Sequence, residues 1–143
     1  MPKKIKVFLD TSAILAGLNS PNGAAGVILA ACFAKRIAPV ISSQVVDEAN
    51  RNIPIKFPLL TVPWQSFLLI PPKTVKEPTF KQIKAAYQLL PTSDAPILAV
   101  AINAKPDALV TWNTRHFLRR TVTDAVNFPI LTPGDFLHKF LRR

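Results

Sequence analysis

Four oxygen-bearing side chains stand at the ends of predicted secondary-structure elements. Asp10 directly follows the apolar run Val7–Leu9, which is typical of a strand buried on both faces. Asn113 follows a similar run, and Glu48 and Asp94 lie in or just before the first turns of predicted helices. The carboxyl ends of parallel strands and the first turns of the helices that follow them share one edge of a sheet. We therefore expect these four side chains to converge.

Converging carboxylate and carboxamide oxygens are the ligands that hard divalent cations such as Mg²⁺ or Mn²⁺ prefer. A cation would explain why like charges tolerate close approach, and it would activate a water for hydrolysis of a phosphodiester. Asp is also a favoured helix N-cap, so the stretch around Asp10 alone leaves a capping role and a site role open. The acids at equivalent ends of later elements favour a metal ligand.

Two further acids compete for this site. Asp107 stands at the start of its predicted strand, so we expect it at the opposite edge, in a turn. Asp47 points about 100° away from its neighbour Glu48 on a helix, so only one of the two can face the site. Spacing alone does not decide between them.

Strands and helices alternate along the chain, which predicts an α/β fold with a central, mostly parallel sheet of four or five strands. We expect one domain over residues 1–143. The proline-rich segment from Asn52 to Pro78 interrupts the pattern and carries no motif; within it, Trp64–Ile70 is predicted as a third strand. The other predicted strands cover residues 7–9, 37–41, 107–111 and 129–131, and the helices cover residues 11–17, 24–36 and 80–90, with further helices beginning after 43, near 94 and after 133.

The chain is strongly basic, with 18 Lys and Arg against 8 Asp and Glu and a net charge of +10. A surplus of this size favours a polyanionic partner such as nucleic acid, although an acidic protein partner or a merely basic surface would also fit. The single Cys32 excludes an internal disulfide framework. The longest apolar segment, 24–34, is too short for a membrane span and no signal peptide is evident, so we expect a cytoplasmic protein without a membrane partner.

Four segments resemble the PIN domain, the fold of metal-dependent nucleases that includes VapC-like toxins of toxin–antitoxin pairs. They appear in the family's order and lie towards both ends of the chain: Phe8–Ser12, Ile41–Glu48, Ser93–Ala101 and Leu109–Phe117. The resemblance implies a three-layer α/β/α fold and a ribonuclease that uses Mg²⁺ or Mn²⁺. It also implies RNA as substrate, a cognate antitoxin and a homodimer, for which the exposed apolar pieces of the proline-rich segment would suit an interface.

Carried over by position, the resemblance makes Asp10 and Asp94 the main metal ligands. Glu48 would complete the acidic cluster as a ligand or as a group that positions water, and Asn113 falls where the family has Asp or Asn. Thr11 and Ser12 would support the site through hydrogen bonds.

The chain departs from the family pattern at two of these positions. Asn113 is neutral, so the cluster has one charge fewer and would bind one metal tightly or two weakly. His116 stands where many members carry an acid, which places a group able to contact phosphate near the site. Arg115, Arg119 and Arg120 follow closely and are the expected nucleic-acid contacts, because Arg pairs well with phosphate.

Two alternatives use the same residues. A non-catalytic RNA-binding module would keep the fold and basic face with a weakened metal site, as the neutral Asn113 allows. A haloacid-dehalogenase-like phosphatase also begins with an apolar strand ending in Asp, but its phosphate chemistry requires a second Asp two positions later, where this chain has Ser12. A Rossmann-type nucleotide binder is unsupported, because no Gly-rich turn follows the first strand.

Overall fold

A computed structural model describes residues 4–70, 72–75 and 77–141 of the chain. Its core is a five-stranded, entirely parallel sheet. The strands are β1 (Ile5–Leu9), β2 (Ile37–Ser42), β3 (Lys73–Val75), β4 (Ala108–Val110) and β5 (Ile130–Leu131), in the spatial order β3-β2-β1-β4-β5. The prediction of an α/β fold on a parallel sheet of four or five strands is therefore confirmed.

The helices follow the strands as crossover connections. They are α1 (Thr11–Asn19), α2 (Ala24–Phe33), α3 (Ser43–Lys56), α4 (Thr61–Leu68), α5 (Phe80–Leu89), α6 (Ala95–Ala104), α7 (Thr114–Phe117), α8 (Arg120–Thr123) and α9 (Pro133–Phe136), the last continuing into a π-helical turn, Leu137–Leu141. Among the described residues no single helix is long and apolar enough to cross a membrane, and α1 and α2 reach the necessary length only as a pair bent by 93°.

The central strand β1 is covered on both faces. Val7, Phe8 and Leu9 are all at most 1% exposed, although successive side chains of a strand point to opposite faces. Helices must therefore pack on each side of the sheet, which gives the three layers. Registers such as Leu9 opposite Val110 align the carboxyl ends of β1 and β4.

The prediction of a strand at Trp64–Ile70 is wrong. Residues 64–68 belong to α4, and the third strand is Lys73–Val75. Trp64 and Phe67 are 2% and 0% exposed, while Val62 and Leu69 are 70% and 82% exposed, which is the one-sided burial of a helix. Pro63 sits in the first turn of α4, where its missing N–H has no helical partner to lose.

Two prolines lie inside elements, one in a strand and one in a helix. Pro39 is within β2, but β3 pairs only with Val40 to Ser42, so the part of β2 around Pro39 has a neighbour on one side only. Pro54 lies in the last turn of α3, two residues before the helix ends, where it removes the one backbone bond to the Asn50 carbonyl.

Helices α1 and α2 approach each other closely through glycine. A Cβ on Gly17 would lie 2.6 Å from Leu29 Cδ1 and 2.9 Å from the Ala25 carbonyl oxygen. A Cβ on Gly26 would overlap the backbone carbonyl of Pro21. Both close approaches lie at the sharp bend between these helices.

We expect Gly26→Ala to lower the free energy of unfolding by about 1–3 kcal/mol, because the backbone of the α1–α2 turn must shift to admit the methyl group. Gly134→Ala in α9 is the matched control, since a Cβ there would meet nothing within 4 Å. Urea denaturation of both variants measures the difference. Equal stabilities would show that the turn adapts without cost.

Candidate functional site

Asp10 is both a helix cap and a buried carboxylate at the end of β1. It is 5% exposed. Oδ1 accepts hydrogen bonds from the Ala13 N–H (3.0 Å) and the Ser12 hydroxyl (2.7 Å), and Oδ2 accepts one from the Thr111 hydroxyl (2.6 Å). The capping role and the site position, which the sequence left as alternatives, coexist in one side chain.

The environment of Asp10 disfavours its charge. Burial raises the pKa of the Asp10 carboxyl above its ordinary value, and this outweighs the hydrogen bonds from Thr111, Ser12 and Ala13, which lower it. The negative charge of Asp94 raises this pKa further. A cation between the two carboxylates would relieve both penalties.

Thr111 is the link between Asp10 and the end of β4. Its hydroxyl donates to Asp10 and accepts from the Asn113 N–H (2.8 Å), while the Trp112 N–H donates to the Ser12 hydroxyl (3.0 Å). These bonds hold the chain after β4 against the chain after β1. Thr111 is not among the site residues predicted from the sequence; the signal was a hydroxyl directly after a buried strand, where it needs a partner.

Asp94 precedes α6 and meets two residues of the segment after β4. The Asn113 Nδ2 lies 2.7 Å and the His116 Nδ1 lies 2.6 Å from the same oxygen, Asp94 Oδ2. Asp94 has no side-chain bond to its own helix, so its carboxylate is free to face this partner pair. The sequence predicts His116 near the site as a phosphate contact, and the structure gives it a carboxylate as neighbour.

Glu48 and Asp47 face different depressions of the surface. Glu48 Oε1 accepts a hydrogen bond from Gln44 Nε2 (3.2 Å), one turn earlier on α3. Asp47 lines a neighbouring depression with Arg51 and Glu77. The choice of Glu48 over Asp47 for the side of the other acids agrees with this arrangement.

The predicted site residues share one open cavity of about 340 Å³ at the carboxyl edge of the sheet. It is lined by Asp10, Thr11, Ser12, Gln44, Glu48, Ser93, Asp94, Ile97 and Asn113. Asp107 lies at the opposite edge, where its Oδ2 accepts from the Lys6 N–H (2.7 Å). Convergence of the four oxygen-bearing groups is thus a feature of the structure, while their catalytic and metal-binding roles stay predictions.

The cavity suits a hydrated cation better than a closed metal cage. Within the described ranges no group of three His, Cys, Asp or Glu side chains lies close enough together to enclose a metal ion. Mg²⁺, however, keeps several waters and is usually held by one or two carboxylates together with substrate phosphates. Asp10 and Asp94 supply two carboxylates to the cavity. The buried Thr11 Oγ1 has no hydrogen-bond partner among the described residues, so it is available to a water or a ligand.

The three arginines predicted to bind nucleic acid lie outside this cavity. Arg115 on α7, Arg119 between the helices and Arg120 on α8 are exposed. Arg120 pairs with Asp124 at 3.9 Å, four residues along the chain. Arg119 Nε donates to the Arg115 carbonyl at 3.4 Å. They follow Asn113 closely in the chain, and their contact with nucleic acid stays a prediction.

In metal-free protein, we expect the free energy of unfolding of Asp10→Asn, relative to that of wild type, to increase as the pH rises. Asp10 keeps its proton in the folded state above the ordinary pKa of 3.8. Between 3.8 and the raised pKa, the folded state therefore binds more protons than the unfolded state. The contribution of Asp10 to wild-type stability therefore falls as the pH rises from 3.8 through the raised pKa, and Asn escapes this loss. Urea denaturation with chelator across pH measures the difference, and a pH-independent gap would contradict the raised pKa.

Comparisons with known proteins show which family the chain belongs to. The family model of the PIN domain matches residues 6–115. No curated protein matches the sequence. Among solved structures, PAE2754 from Pyrobaculum aerophilum is 15% identical with a TM-score of 0.59, covering 94% of this chain and 88% of that one. VapBC2 from Rickettsia felis, solved bound to a DNA fragment from its promoter, is 20% identical with a TM-score of 0.59, covering 89% of this chain and 97% of that one. These structures share the fold, and the family match over most of the sequence shows that this chain belongs to the PIN domain family.

Proposed function

We propose that this chain is a metal-dependent endoribonuclease and the toxin of a toxin–antitoxin pair. PIN domains are generally nucleases, and a nuclease is the class of enzyme that the family match supports. The observation that carries the proposal is that Asp10, Glu48 and Asp94 line one cavity at the carboxyl edge of the parallel sheet, where α/β proteins bind their ligands.

Asp10 and Asp94 are the residues that would hold Mg²⁺ or Mn²⁺. The cation, when bound, would make a water nucleophilic at neutral pH and stabilise the charge that develops on the phosphate. The Thr111 and Ser12 hydroxyls fix the Asp10 carboxylate, so its orientation does not depend on the cation. Gln44 binds one oxygen of Glu48, which leaves the other to position a water.

The charge distribution supports a polyanionic substrate such as RNA. The cavity is acidic, while the whole chain carries a net charge of +10, so the basic residues lie elsewhere on the chain. Arg115, Arg119 and Arg120 would bind phosphates that flank the scissile bond, which would bring the polyanion to an acidic centre.

An antitoxin and a second copy of the chain are the proposed partners. The similarity to a VapBC complex supports an antitoxin, which in this proposal would act by covering the cavity. The segment from the end of α3 to the residue after α4 exposes Ile55, Leu59, Val62 and Leu69 at 70–91% of their surface, which supports an interface there. We place the protein in the cytoplasm and propose no membrane partner.

A catalytically weak RNA-binding module is the second candidate. Two observations favour it: the neutral Asn113, and the placement of His116 against Asp94 where many relatives carry an acid. Both reduce the negative charge that would bind a cation.

We expect wild-type protein with Mn²⁺ to cleave single-stranded RNA, and Asp10→Asn or Asp94→Asn to lose at least about 100-fold of that activity, because each removes a charged ligand of the cation. Asp107→Asn is the matched control. It changes an acid at the opposite edge of the sheet and keeps an oxygen that accepts from Lys6. Gel-based cleavage of a labelled RNA measures all four proteins.

The two candidate functions separate in the same experiment. If wild type cuts no RNA with Mn²⁺ but binds it, and Asp10→Asn binds equally well, the chain is an RNA-binding module. Loss of cleavage in Asp107→Asn as well would mean that the substitutions act through folding.

Adjacent acids on α3 give a second test. We expect Glu48→Gln to lower kcat by at least about tenfold, because Glu48 faces the cavity, and Asp47→Asn to leave kcat within about twofold. The pair differs by one position on one helix, so stability effects should be similar. A larger loss of kcat in Asp47→Asn than in Glu48→Gln would show that Asp47, and not Glu48, has the catalytic role.

A further inference from the structure

One oxygen of Asp94 receives two partners from the segment after β4. Asn113 Nδ2 and His116 Nδ1 lie 2.7 and 2.6 Å from Asp94 Oδ2, and 3.3 Å from each other. The side chains of His116 and Asp94 are 29% and 21% exposed, so the contact lies at the rim of the cavity rather than in free solvent.

The chemistry of the three groups fixes the direction of these bonds. A carboxylate oxygen only accepts, so the His116 Nδ1 carries a proton and donates to Asp94, and the Asn113 amide also donates. Two donors cannot bond to each other, so the 3.3 Å approach of Asn113 to His116 follows from their shared partner.

Helix α7 holds His116 in this place. Phe117, the next residue, is 0% exposed, and its N–H donates to the Asn113 carbonyl at 3.1 Å. The buried ring anchors the short helix, which directs the neighbouring imidazole towards Asp94. Packing of α7 thus fixes the His116 backbone within reach of Asp94, and the hydrogen bond to Asp94 orients the imidazole.

A carboxylate oxygen has two lone pairs, and both lone pairs of Asp94 Oδ2 are used. Oδ1 is the oxygen that remains for a cation. The Asn113 amide nitrogen is committed to Asp94, which leaves its side-chain carbonyl oxygen as a second available ligand atom. A carboxylate that bridges two cations through its two oxygens needs both oxygens available, and Asp94 offers one.

We infer that His116 is a positioning residue. Together with Asn113 it holds Asp94 so that only Oδ1 is available to a cation, and this limits the site to one divalent ion. The inference rests on the proposed metal-dependent function, and it concerns the number of ions rather than the reaction. An acid at position 116 would repel Asp94, release Oδ2 and add a carboxylate of its own.

Equilibrium binding of Mn²⁺ to RNA-free protein, followed by electron paramagnetic resonance of the free ion, counts the sites. We expect one ion for wild type, one ion with a Kd within about threefold for His116→Asn, and one ion bound about tenfold more weakly for His116→Ala. The Asn variant keeps an N–H close to the position of Nδ1, so it tests rescue by a donor. We expect His116→Asp to bind two ions.

His138→Ala is the matched control, because His138 lies on the terminal π-helical turn, outside the residues that line the cavity. It should bind one ion with wild-type affinity. Two ions in wild type, or equal weakening in His116→Asn and His116→Ala, would overturn the inference and leave the proposed nuclease intact. No Mn²⁺ binding by wild type would overturn both, whereas one bound ion without RNA cleavage would overturn only the nuclease.

Discussion

The hydrogen bond from the Thr111 hydroxyl to Asp10 joins the two strands on which the site is built. It spans 2.6 Å between groups that are both almost inaccessible to solvent, so losing it would leave a buried carboxylate oxygen without a partner. Bonds of this kind to charged groups contribute about 1.5–3 kcal/mol, and the unsatisfied acceptor costs more. The positions of Ser12, Trp112 and Asn113 all depend on it, because their hydrogen bonds belong to the same small network of hydroxyls. The acidic cavity is therefore organised by neutral donors before any cation binds.

This organisation sets two carboxylates in different environments. Asp10 is buried, satisfied by hydroxyls and shifted towards its neutral form, whereas Asp94 is partly exposed and satisfied by nitrogen donors. One is anchored to the sheet and the other to a four-residue helix. The orientation of the Asp10 carboxylate is thus fixed by residues of the sheet edge, whereas that of the Asp94 carboxylate depends on which side chains occupy positions 113 and 116.

The sequence predicted the sheet and the convergence of the acids, because continuous apolar runs such as Val7–Leu9 mark buried parallel strands and place the residues after them on one edge. The prediction failed at Trp64–Ile70, where a short, mostly apolar run does not distinguish a helix from a strand. The true third strand, Lys73–Val75, is three residues long and has no apolar run to reveal it. The pairing of His116 with Asp94 depends on side-chain direction across 22 residues of sequence, which no local pattern encodes.

The two outermost strands of the sheet are short, at three residues for β3 and two for β5. An edge this short exposes few backbone donors and acceptors, so it offers a poor template for the addition of a foreign strand. Recognition of other macromolecules by this chain would therefore be carried by side chains on its helices and loops. In such a scaffold the binding surfaces can vary in sequence without disturbing the hydrogen-bonded ladder that supports them.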